Sequence, residues 1–258
     1  MELTKISIVI PSYNKVGFID KTLKSIFDQK YENLEVIIQD GASTDGTLEV
    51  IKHYLKRYPK EIKFESKKDK GQLDAVNKGM AKAVGQILTF INADDVYVKG
   101  AFLNIQKAFT ENPKALWFAG RGIVINEKGA EIAKPITFYK NLLLSLDSKF
   151  FLLAANYLMQ PSVFFTRQAY YKYGPFTGTT DFITEYDMWL KLAKEEMPVV
   201  LQQNLSRFRI EPSTKTKRLF STLLKEDEKI VRSFTKNPLV LFIHYLHNLG
   251  RIFVRRFV

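Results

Sequence analysis

The chain of 258 residues contains no cysteine and only three histidines, at positions 53, 244 and 247. Without cysteine it forms neither a disulfide bond nor a thiolate metal site, which suits a reducing cytoplasm. The scarcity of histidine argues against a zinc centre built from several imidazole ligands.

Long apolar runs are also missing. No uninterrupted apolar segment reaches the ~18 residues that a membrane-spanning helix requires. The first residues lack the apolar run of a secretory signal peptide, so we expect a cytoplasmic protein. With 46% hydrophobic residues, the chain can form the core of one large α/β domain, alone or with a small appendage.

Two glycine-rich phosphate-binding signatures are absent as well. The sequence has no GxxxxGK[ST] and no GxGxxG motif, and residues 41–46, with a glycine at each end, are too few for either. These absences argue against a P-loop kinase and against a dinucleotide-dependent dehydrogenase. A bound nucleotide must then be held by side chains and a metal ion.

Strand-like and helix-like patterns alternate through the first hundred residues. Apolar runs typical of strands occur at residues 6–10, 34–38, 62–65 and 87–91. Helical spacing of apolar residues lies between these runs. The βαβαβαβ order predicts a mostly parallel sheet with right-handed crossovers.

The pattern changes after residue 95. We expect helices at residues 100–111, 141–158 and 185–196, and extended segments at residues 115–126, 130–139, 162–166 and 198–203. Residues 214–236 show a charged helical pattern, and Asn237-Pro238 is typical of the start of a last helix. We therefore divide the chain into an α/β domain, residues 1–213, and a basic, amphipathic C-terminal helical extension, residues 214–258.

Polar residues follow each early strand. They lie at residues 11–14 (Pro-Ser-Tyr-Asn), 40–46, 69–74 and 92–95. The carboxyl ends of parallel strands meet at one edge of a sheet, where open α/β sheets bind ligands. Helix capping and turn formation explain Ser43 and Gly46 equally well. They explain Asp40 less well, because it precedes any cap.

The fourth strand ends in two adjacent carboxylates, Asp94 and Asp95. Since burying an unpaired carboxylate is costly, we expect both to be exposed just beyond the strand. Two carboxylates there suit a divalent cation, and the cation suits a phosphorylated substrate. Alternatively the segment is a solvated turn, because Asn and Asp are common turn residues.

Five segments resemble motifs of the family 2 glycosyltransferases, in the same order and at similar separations. They are Pro-Ser-Tyr-Asn at 11–14, Asp-Gly-x-Ser-Thr-Asp-Gly at 40–46, Gly-Gln-x-Asp-Ala-x-Asn-x-Gly at 71–79, Asn-Ala-Asp-Asp at 92–95 and Glu-Tyr-Asp-Met-Trp-Leu at 185–190. The resemblance covers about residues 5–215. It implies the GT-A fold, a single Rossmann-like domain, and Mn²⁺ or Mg²⁺ as cofactor.

The resemblance also implies an activity. The expected reaction is transfer of a hexosyl or N-acetylhexosaminyl group, with inversion, from a nucleotide diphosphate sugar, expected to be UDP-linked. The expected acceptor is a hydroxyl of a lipid-linked or polysaccharide molecule in cell-surface glycan synthesis. The enzyme would then work as a peripheral protein on the inner face of the cell membrane.

Particular residues match positions of known role in the family. The resemblance implies that the nucleotide sugar contacts Pro11, Tyr13, Asp40, Gly71, Asp74 and Asp94, with Tyr13 against the base. Asp95 matches the direct metal ligand. Gln160 lies in a segment that resembles an acceptor-side loop.

The inverting reaction needs a base that deprotonates the acceptor hydroxyl. Family members often carry Glu-Asp at this point, and the usual Asp is Glu185 here, with Asp187 two residues later. Either carboxylate is a candidate for the base. Alternatively, both are ordinary first-turn residues favoured by the helix dipole.

A second departure from the family lies at residues 207–215. Many relatives have a metal-binding His where this chain has Glu211, and a carboxylate is also a suitable oxygen ligand. Arg209 and Lys215 are candidates for contact with the diphosphate, and a solvated loop is the alternative. The Gln-x-x-Arg-Trp signature of processive synthases is absent, since the only tryptophans are Trp117 and Trp189.

The net charge of +12 is concentrated towards the C-terminus, where residues 209–258 hold 11 Lys or Arg against 4 Asp or Glu. The bulky apolar residues among 238–258 favour an anionic membrane surface over nucleic acid as the partner. A helix packed on the domain, or one that forms a homo-oligomer, is the alternative.

Two other functional classes remain open at this point. A nucleotidyltransferase would share the sheet and the metal, but it needs a Gly-rich, Arg-containing loop where this chain has Pro-Ser-Tyr-Asn. A non-catalytic nucleotide-sugar-binding module on a glycosyltransferase scaffold would explain the altered Glu185 and Glu211. Hydrolysis of a donor in the presence of Mn²⁺ would distinguish an enzyme from such a module.

Overall fold

A computed structural model describes residues 3–179, 182–183, 185–210 and 220–254. The strands are β1 (Ile6–Ser12), β2 (Leu34–Asp40), β3 (Ile62–Ser66), β4 (Ile87–Phe90), β5 (Val96–Tyr97), β6 (Trp117–Ile125), β7 (Val163–Thr166), β8 (Gly178–Thr179), β9 (Phe182–Ile183) and β10 (Val199–Arg209). The helices are α1 (Ile19–Phe27), α2 (Thr47–Arg57), α3 (Gln72–Lys82), α4 (Ala101–Glu111), α5 (Lys134–Leu146), α6 (Lys149–Ala154), α7 (Arg167–Tyr173), α8 (Glu185–Glu195), α9 (Phe220–Phe234) and α10 (Pro238–Val254).

Eight strands form one sheet in the order β3-β2-β1-β4-β7-β6-β10-β5, and β8 and β9 form a separate hairpin. The first four strands of the chain are parallel, as the alternating pattern predicts. β7 lies antiparallel between β4 and β6, and β5 is antiparallel to β10 at the sheet edge. This mixed α/β sheet with helices on both faces confirms the predicted fold class.

The alternation of side chains along each strand builds two apolar layers. Ile8 of β1 faces the layer that contains α1, α2 and α4, whereas Val9 faces the layer that contains α3 and α8. In the second layer, the rings of Trp117 and Trp189 stack with centroids 6.0 Å apart. Both indoles are therefore core residues.

One predicted strand is wrong. Residues 130–139 were expected to be extended, but the pairing ends after a single bridge between Ile125 and Glu131, and α5 begins at Lys134. Pro135 lies in the first turn of α5, where a helix does not need its missing N–H. The expected helix at residues 141–158 is also divided, because Asp147 adopts a left-handed conformation with φ 44° between α5 and α6.

The C-terminal helices α9 and α10 pack on the α/β domain. Val231 of α9 and both Val240 and His244 of α10 are buried. The start of α10 is capped as expected, since the Leu239 N–H donates to Asn237 Oδ1 at 2.9 Å. Within the described ranges, no helix is long and apolar enough to cross a membrane.

A buried glutamate connects three neighbouring elements on the β3 side of the sheet. Glu35 of β2 accepts hydrogen bonds from Ser7 Oγ of β1 and from the Val84 N–H at 3.0 Å, and it pairs with Lys63 Nζ of β3 at 2.6 Å. Burial alone would raise the pKa of Glu35, but the contacts with Lys63, Ser7 and Val84 hold it below 4.5. The ionised carboxylate is thus favoured in the native state.

We predict that Glu35→Gln lowers the free energy of unfolding by about 1–3 kcal/mol at neutral pH, because the amide cannot satisfy Lys63 and both donors. The lowered pKa stabilises the native state above pH 4.5, and this stability is lost as the pH falls through the folded-state pKa. Urea unfolding at neutral and acidic pH measures both effects. Glu32→Gln, at an exposed position, is the control.

The prediction fails if the substituted protein loses stability in acid as steeply as the unsubstituted one.

Candidate active site

The loops after β1 and β2 are joined side by side. β1 and β2 are parallel and in register to Ser12 and Asp40, so both loops leave the same edge of the sheet. The Asn14 N–H donates to Ser43 Oγ at 2.8 Å, and the Thr44 N–H donates to Asn14 Oδ1 at 2.9 Å. These reciprocal bonds fix the Pro-Ser-Tyr-Asn segment against the second loop.

Asp40 lies beneath these two loops. Its carboxylate is 2% exposed and accepts from the Ser43 N–H and from Ser66 Oγ, both at 2.8 Å. Tyr13, in contrast, is 62% exposed, and its ring lies beside the backbone of Gly41. The edge therefore presents an open aromatic ring above a buried carboxylate, and Pro11 is buried in β1.

The loop before α3 closes the other side of this region. Gly71 has φ 110°, which favours glycine, and its N–H donates to Asp69 Oδ1 at 2.8 Å. Asp74 accepts from the Lys70 N–H at 3.1 Å and pairs with Lys78 at 2.6 Å. The hydrogen bond from Lys78 is the main cause of the lowered pKa of Asp74.

Other residues of the same sequence motif have structural roles. The Asn77 side chain holds Phe176 by bonds to its N–H and its carbonyl, each 3.0 Å long. A Cβ added to Gly79 would lie 2.4 Å from Val9 Cγ1, so α3 packs closely on β1 only because residue 79 is glycine.

The two adjacent carboxylates differ in environment, and the expectation that both are exposed is wrong for Asp95. Asp95 is fully buried, and its Oδ1 accepts from the Arg209 N–H at 2.7 Å. The antiparallel pairing of β5 with β10 brings Arg209 to this point. Burial, followed by the negative charge of Asp94, raises the pKa of Asp95 well above the usual range.

Asp94 is the carboxylate of the pair that keeps some contact with solvent, with a side chain 14% exposed. Its Oδ2 pairs with Lys15 Nζ at 2.5 Å. Lys15 follows the Pro-Ser-Tyr-Asn segment directly, so the first loop contributes a cation to this carboxylate. Lys15 was not among the predicted site residues, although it is the first basic residue after β1.

Arg209 is buried, which excludes the solvated loop for this residue. Its guanidinium donates to the carbonyls of Asp94, Asn126 and Glu127 at 2.7, 2.7 and 3.0 Å. Its contact with a diphosphate stays a prediction. Glu211 and Lys215 lie outside the described residues.

The carboxylates at this edge suit a metal ion that binds together with a phosphorylated ligand. Among the residues that the structure describes, no three His, Asp or Glu side chains converge on one point. Mg²⁺ is commonly held by only one or two carboxylates, with substrate phosphates and water completing its shell. Asp94 provides one such carboxylate at the strand edge.

The two candidates for the base also differ. Asp187 pairs with Lys191 at 2.7 Å and accepts from Thr177 Oγ1 at 3.1 Å. Burial raises the pKa of Glu185 to about 7, its own backbone N–H and Lys140 oppose the rise, and Asp227 adds to it. Glu185 therefore has the proton affinity of a general base near neutral pH.

A clamp of side chains holds residues 152–158, next to Glu185. Tyr186 OH donates to the carbonyls of Leu152 and Leu153 at 2.7 and 2.8 Å. His244 Nδ1 lies 3.1 Å from the Ala154 carbonyl. Lys140 Nζ donates to the carbonyls of Asn156 and Leu158 at 3.0 and 3.1 Å.

Lys140 and Asp227 connect this clamp to the C-terminal helices. Burial lowers the pKa of Lys140 to about 8, and the positive charge of Arg251 acts in the same direction. Asp227 of α9 pairs with Arg251 of α10 at 2.6 Å. Lys140 and Asp227 were not among the predicted site residues, although Lys140 is the one charged residue between positions 135 and 146.

Gln160 joins the segment that is predicted to contact the acceptor to the sheet edge that carries Asp94. Its Nε2 donates to the carbonyl of Phe90, the last residue of β4, at 2.6 Å. Its Oε1 is buried without a hydrogen-bond partner among the described residues. The structure thus brings the residues after β1, β2 and β4 to one edge and links Gln160 to that edge.

Comparison with known proteins gives a family match over most of this region. Residues 7–174 match the model of the family described as "Glycosyl transferase family 2". A dolichyl N-acetyl-α-D-glucosaminyl phosphate 3-β-D-2,3-diacetamido-2,3-dideoxy-β-D-glucuronosyltransferase from Methanococcus voltae is 37% identical over 142 residues, which are 51% of this chain and 43% of that protein. The chain spans less than half the length of each of the eight curated relatives compared.

Two solved structures share the fold. A mannosyltransferase from Pyrobaculum calidifontis, in complex with GDP-Man and Mn²⁺, has a TM-score of 0.73 at 19% identity, covering 96% of this chain and 72% of that one. S. aureus TarS 1-349, in complex with UDP-GlcNAc, has a TM-score of 0.62 at 15% identity, covering 89% and 71%.

The different surroundings of Asp94 and Asp95 predict different effects on stability. Asp95→Ala should lower the free energy of unfolding by about 1–3 kcal/mol, because it leaves the buried Arg209 N–H without its acceptor. Asp94→Ala should change it by less than about 1 kcal/mol, since the pair with Lys15 is partly exposed. Chemical unfolding of both variants measures the difference. A larger loss for Asp94→Ala would contradict this account of the edge.

Proposed function

Because the chain belongs to glycosyl transferase family 2, we propose that it transfers a sugar, with inversion, from a nucleotide diphosphate sugar to a hydroxyl of a lipid-linked or polysaccharide acceptor. The observation that carries the proposal is the convergence of the loops after β1, β2 and β4 at one sheet edge. There an exposed Tyr13, the buried Asp40 and the partly exposed Asp94 lie along the path expected for a nucleotide sugar.

The donor side follows from the exposed ring. Tyr13 offers an aromatic face for a nucleobase, and the bonds between Asn14, Ser43 and Thr44 fix the loop that carries it. Asp40 supports the same loops through its hydrogen bonds with Ser43. We propose that its carboxylate also accepts a hydrogen bond from an N–H group of the base. Gly71 and Asp74 complete this side near the ribose.

The nucleotide is proposed to be UDP. The solved neighbours support a nucleotide sugar in general, since one is a complex with GDP-Man and the other a complex with UDP-GlcNAc. The neighbour with GDP-Man also contains Mn²⁺, which supports a divalent cation here.

We propose that this cation binds at Asp94 rather than at Asp95, the residue that the family resemblance implies. Asp95 already accepts from the Arg209 N–H and is fully buried, so its part is to hold the turn that presents Asp94. When bound, Mn²⁺ or Mg²⁺ would neutralise charge on the departing diphosphate. Lys15 supplies a second positive charge beside the same carboxylate. Glu211 stays a proposed additional ligand.

The acceptor side is proposed to lie between Gln160 and the start of α8. Glu185 takes the proton of the acceptor hydroxyl, and its raised pKa suits that step at neutral pH. Gln160 Oε1, buried without a described partner, is available to accept from a sugar hydroxyl. The name of the M. voltae relative specifies a dolichyl-linked phosphate substrate, which supports a lipid-linked acceptor here. We propose that the protein works at the inner face of a membrane.

The metal assignment predicts a loss of metal-dependent binding. Asp94→Asn should weaken the Mn²⁺-dependent binding of UDP at least tenfold, because the amide removes the ligand charge. A thermal-shift screen of UDP, GDP and ADP with and without Mn²⁺ measures this, since a ligand at ~100 times its Kd adds about 2.7 kcal/mol of stability.

Asp28→Asn is the control for this screen, because Asp28 belongs to an exposed pair with Lys24 on α1. If Asp95→Asn abolishes the Mn²⁺-dependent binding of UDP and Asp94→Asn does not, the proposed metal ligand is Asp95 and the assignment to Asp94 is wrong.

The base assignment predicts a loss of turnover with binding retained. Glu185→Gln keeps the shape of the side chain but cannot accept the proton, so transfer should fall by roughly 10²–10⁴-fold. Release of nucleotide from a sugar donor, chosen for the nucleotide that gives the largest thermal shift, measures this in the presence of a lipid-linked or glycan acceptor. In the unsubstituted protein the rate should rise with pH around a midpoint near 7, because the base must be ionised.

Asp187→Asn is the matched variant on the same helix turn and should retain most turnover. The roles are reversed if Asp187→Asn abolishes turnover while Glu185→Gln remains active.

A further inference from the structure

Most of the exposed large apolar side chains in the described ranges lie on two helices. Those of α5 are Phe138, Tyr139, Leu142 and Leu146, and those of α10 are Leu239, Phe242, Tyr245, Leu246, Leu249, Ile252 and Phe253. Soluble monomers rarely expose contiguous apolar patches of this kind without a function.

The exposed side chains of each helix share one face, and the two helices touch. Leu239, Leu246 and Phe253 of α10 are separated by seven residues, and Phe138, Leu142 and Leu146 of α5 by four. Tyr139 of α5 stacks on His247 of α10 with ring centroids 6.0 Å apart, and its OH lies 3.3 Å from His247 Nδ1. We call these two exposed faces together the α5–α10 face.

The opposite side of α10 is anchored in the protein. Val240 and His244 are 3% and 1% exposed, and Arg251 pairs with the buried Asp227. One side of α10 therefore packs on the domain, which is one of the predicted alternatives, and membrane contact of the exposed side stays a prediction. The open side is held in a fixed orientation.

Basic residues outnumber acidic ones across residues 134–154 and 238–254, where the one acidic residue is Asp147, exposed between α5 and α6. The helices α5, α6 and α10 contain no Asp or Glu. Exposed lysines stand at the start of α5 and of α6, at Lys134 and Lys149. Two copies of this chain meeting through the face would bring like charges together, whereas an anionic lipid surface is complementary in charge.

We propose that the α5–α10 face docks the protein on an anionic lipid bilayer, with both helices lying in the interface and their apolar side chains among the lipids. The inference deepens the proposed function and rests on it for its purpose, since a lipid-linked acceptor lies at a bilayer. Lys140 of α5 and His244 of α10 hold the segment that leads to Gln160. Docking therefore sets the distance from the acceptor-side segment to the membrane.

The test uses the full chain and sedimentation with phosphatidylglycerol–phosphatidylcholine vesicles, compared with phosphatidylcholine alone. Phe138→Asp on α5 and Phe242→Asp on α10 should each weaken partitioning to the anionic vesicles at least ~tenfold, equivalent to 1.4 kcal/mol. Leu103→Asp is the matched control, because Leu103 is 55% exposed on α4 and outside the face. Thermal unfolding verifies that each variant is folded.

The proposal is overturned if the unsubstituted protein does not sediment with anionic vesicles, or if both face variants bind them normally. If Phe242→Asp weakens binding to anionic vesicles and Phe138→Asp does not, α5 does not contact the bilayer and that part of the proposal is overturned. Light scattering that shows a dimer broken by these substitutions, without vesicle binding, would assign the face to a second copy. UDP binding with Mn²⁺ should be unchanged in every variant, so failure of lipid docking is separable from failure of the sugar-transfer proposal.

Discussion

The candidate site depends on one buried carboxylate. Asp95 accepts from the Arg209 N–H, and its own backbone carbonyl accepts from Thr22 Oγ1 at 2.7 Å, so the turn after β4 is tied to both β10 and α1. These contacts hold three elements that are far apart in the sequence. Burial disfavours the charged form of Asp95 and raises its pKa, while its hydrogen bond with the Arg209 N–H fixes the geometry of the edge. Asp94, next in the turn, thereby receives a defined position without contributing to the packing itself.

The sequence was sufficient for the architecture of the first hundred residues. β1, β2 and β4 are buried on both faces and the helices between the strands are amphipathic, so local periodicity and tertiary structure agree. The prediction and the structure disagree where a single bridge at Ile125 replaces an expected strand. They also disagree at Asp94 and Asp95, because adjacent identical residues have the same local sequence pattern and their different environments cannot be predicted from it. Their difference arises from Arg209, which lies 114 residues away from Asp95.

The charge environment of Glu185 illustrates the same limit. Its proximity to Asp227 and Lys140 could not be predicted, because these residues come from α9 and α5, and packing of the last helix on the domain was only one of the predicted alternatives. The buried Asp227–Arg251 pair joins α9 to α10, and His244 of α10 contacts the same segment as Lys140 and Tyr186. The division at residue 213 remains a proposal about chain organisation, but structurally the last helices support the same segment as α5 and α8.

The clamp on residues 152–158 binds main-chain atoms only. Tyr186, His244 and Lys140 each contact carbonyl oxygens, which every amino acid possesses. A substitution at the partly exposed Asn156 therefore leaves the anchoring bonds in place while it changes the side chain that the segment exposes. A segment of this design can change an exposed side chain without first losing its conformation, whereas the three anchoring side chains have no comparable freedom to vary.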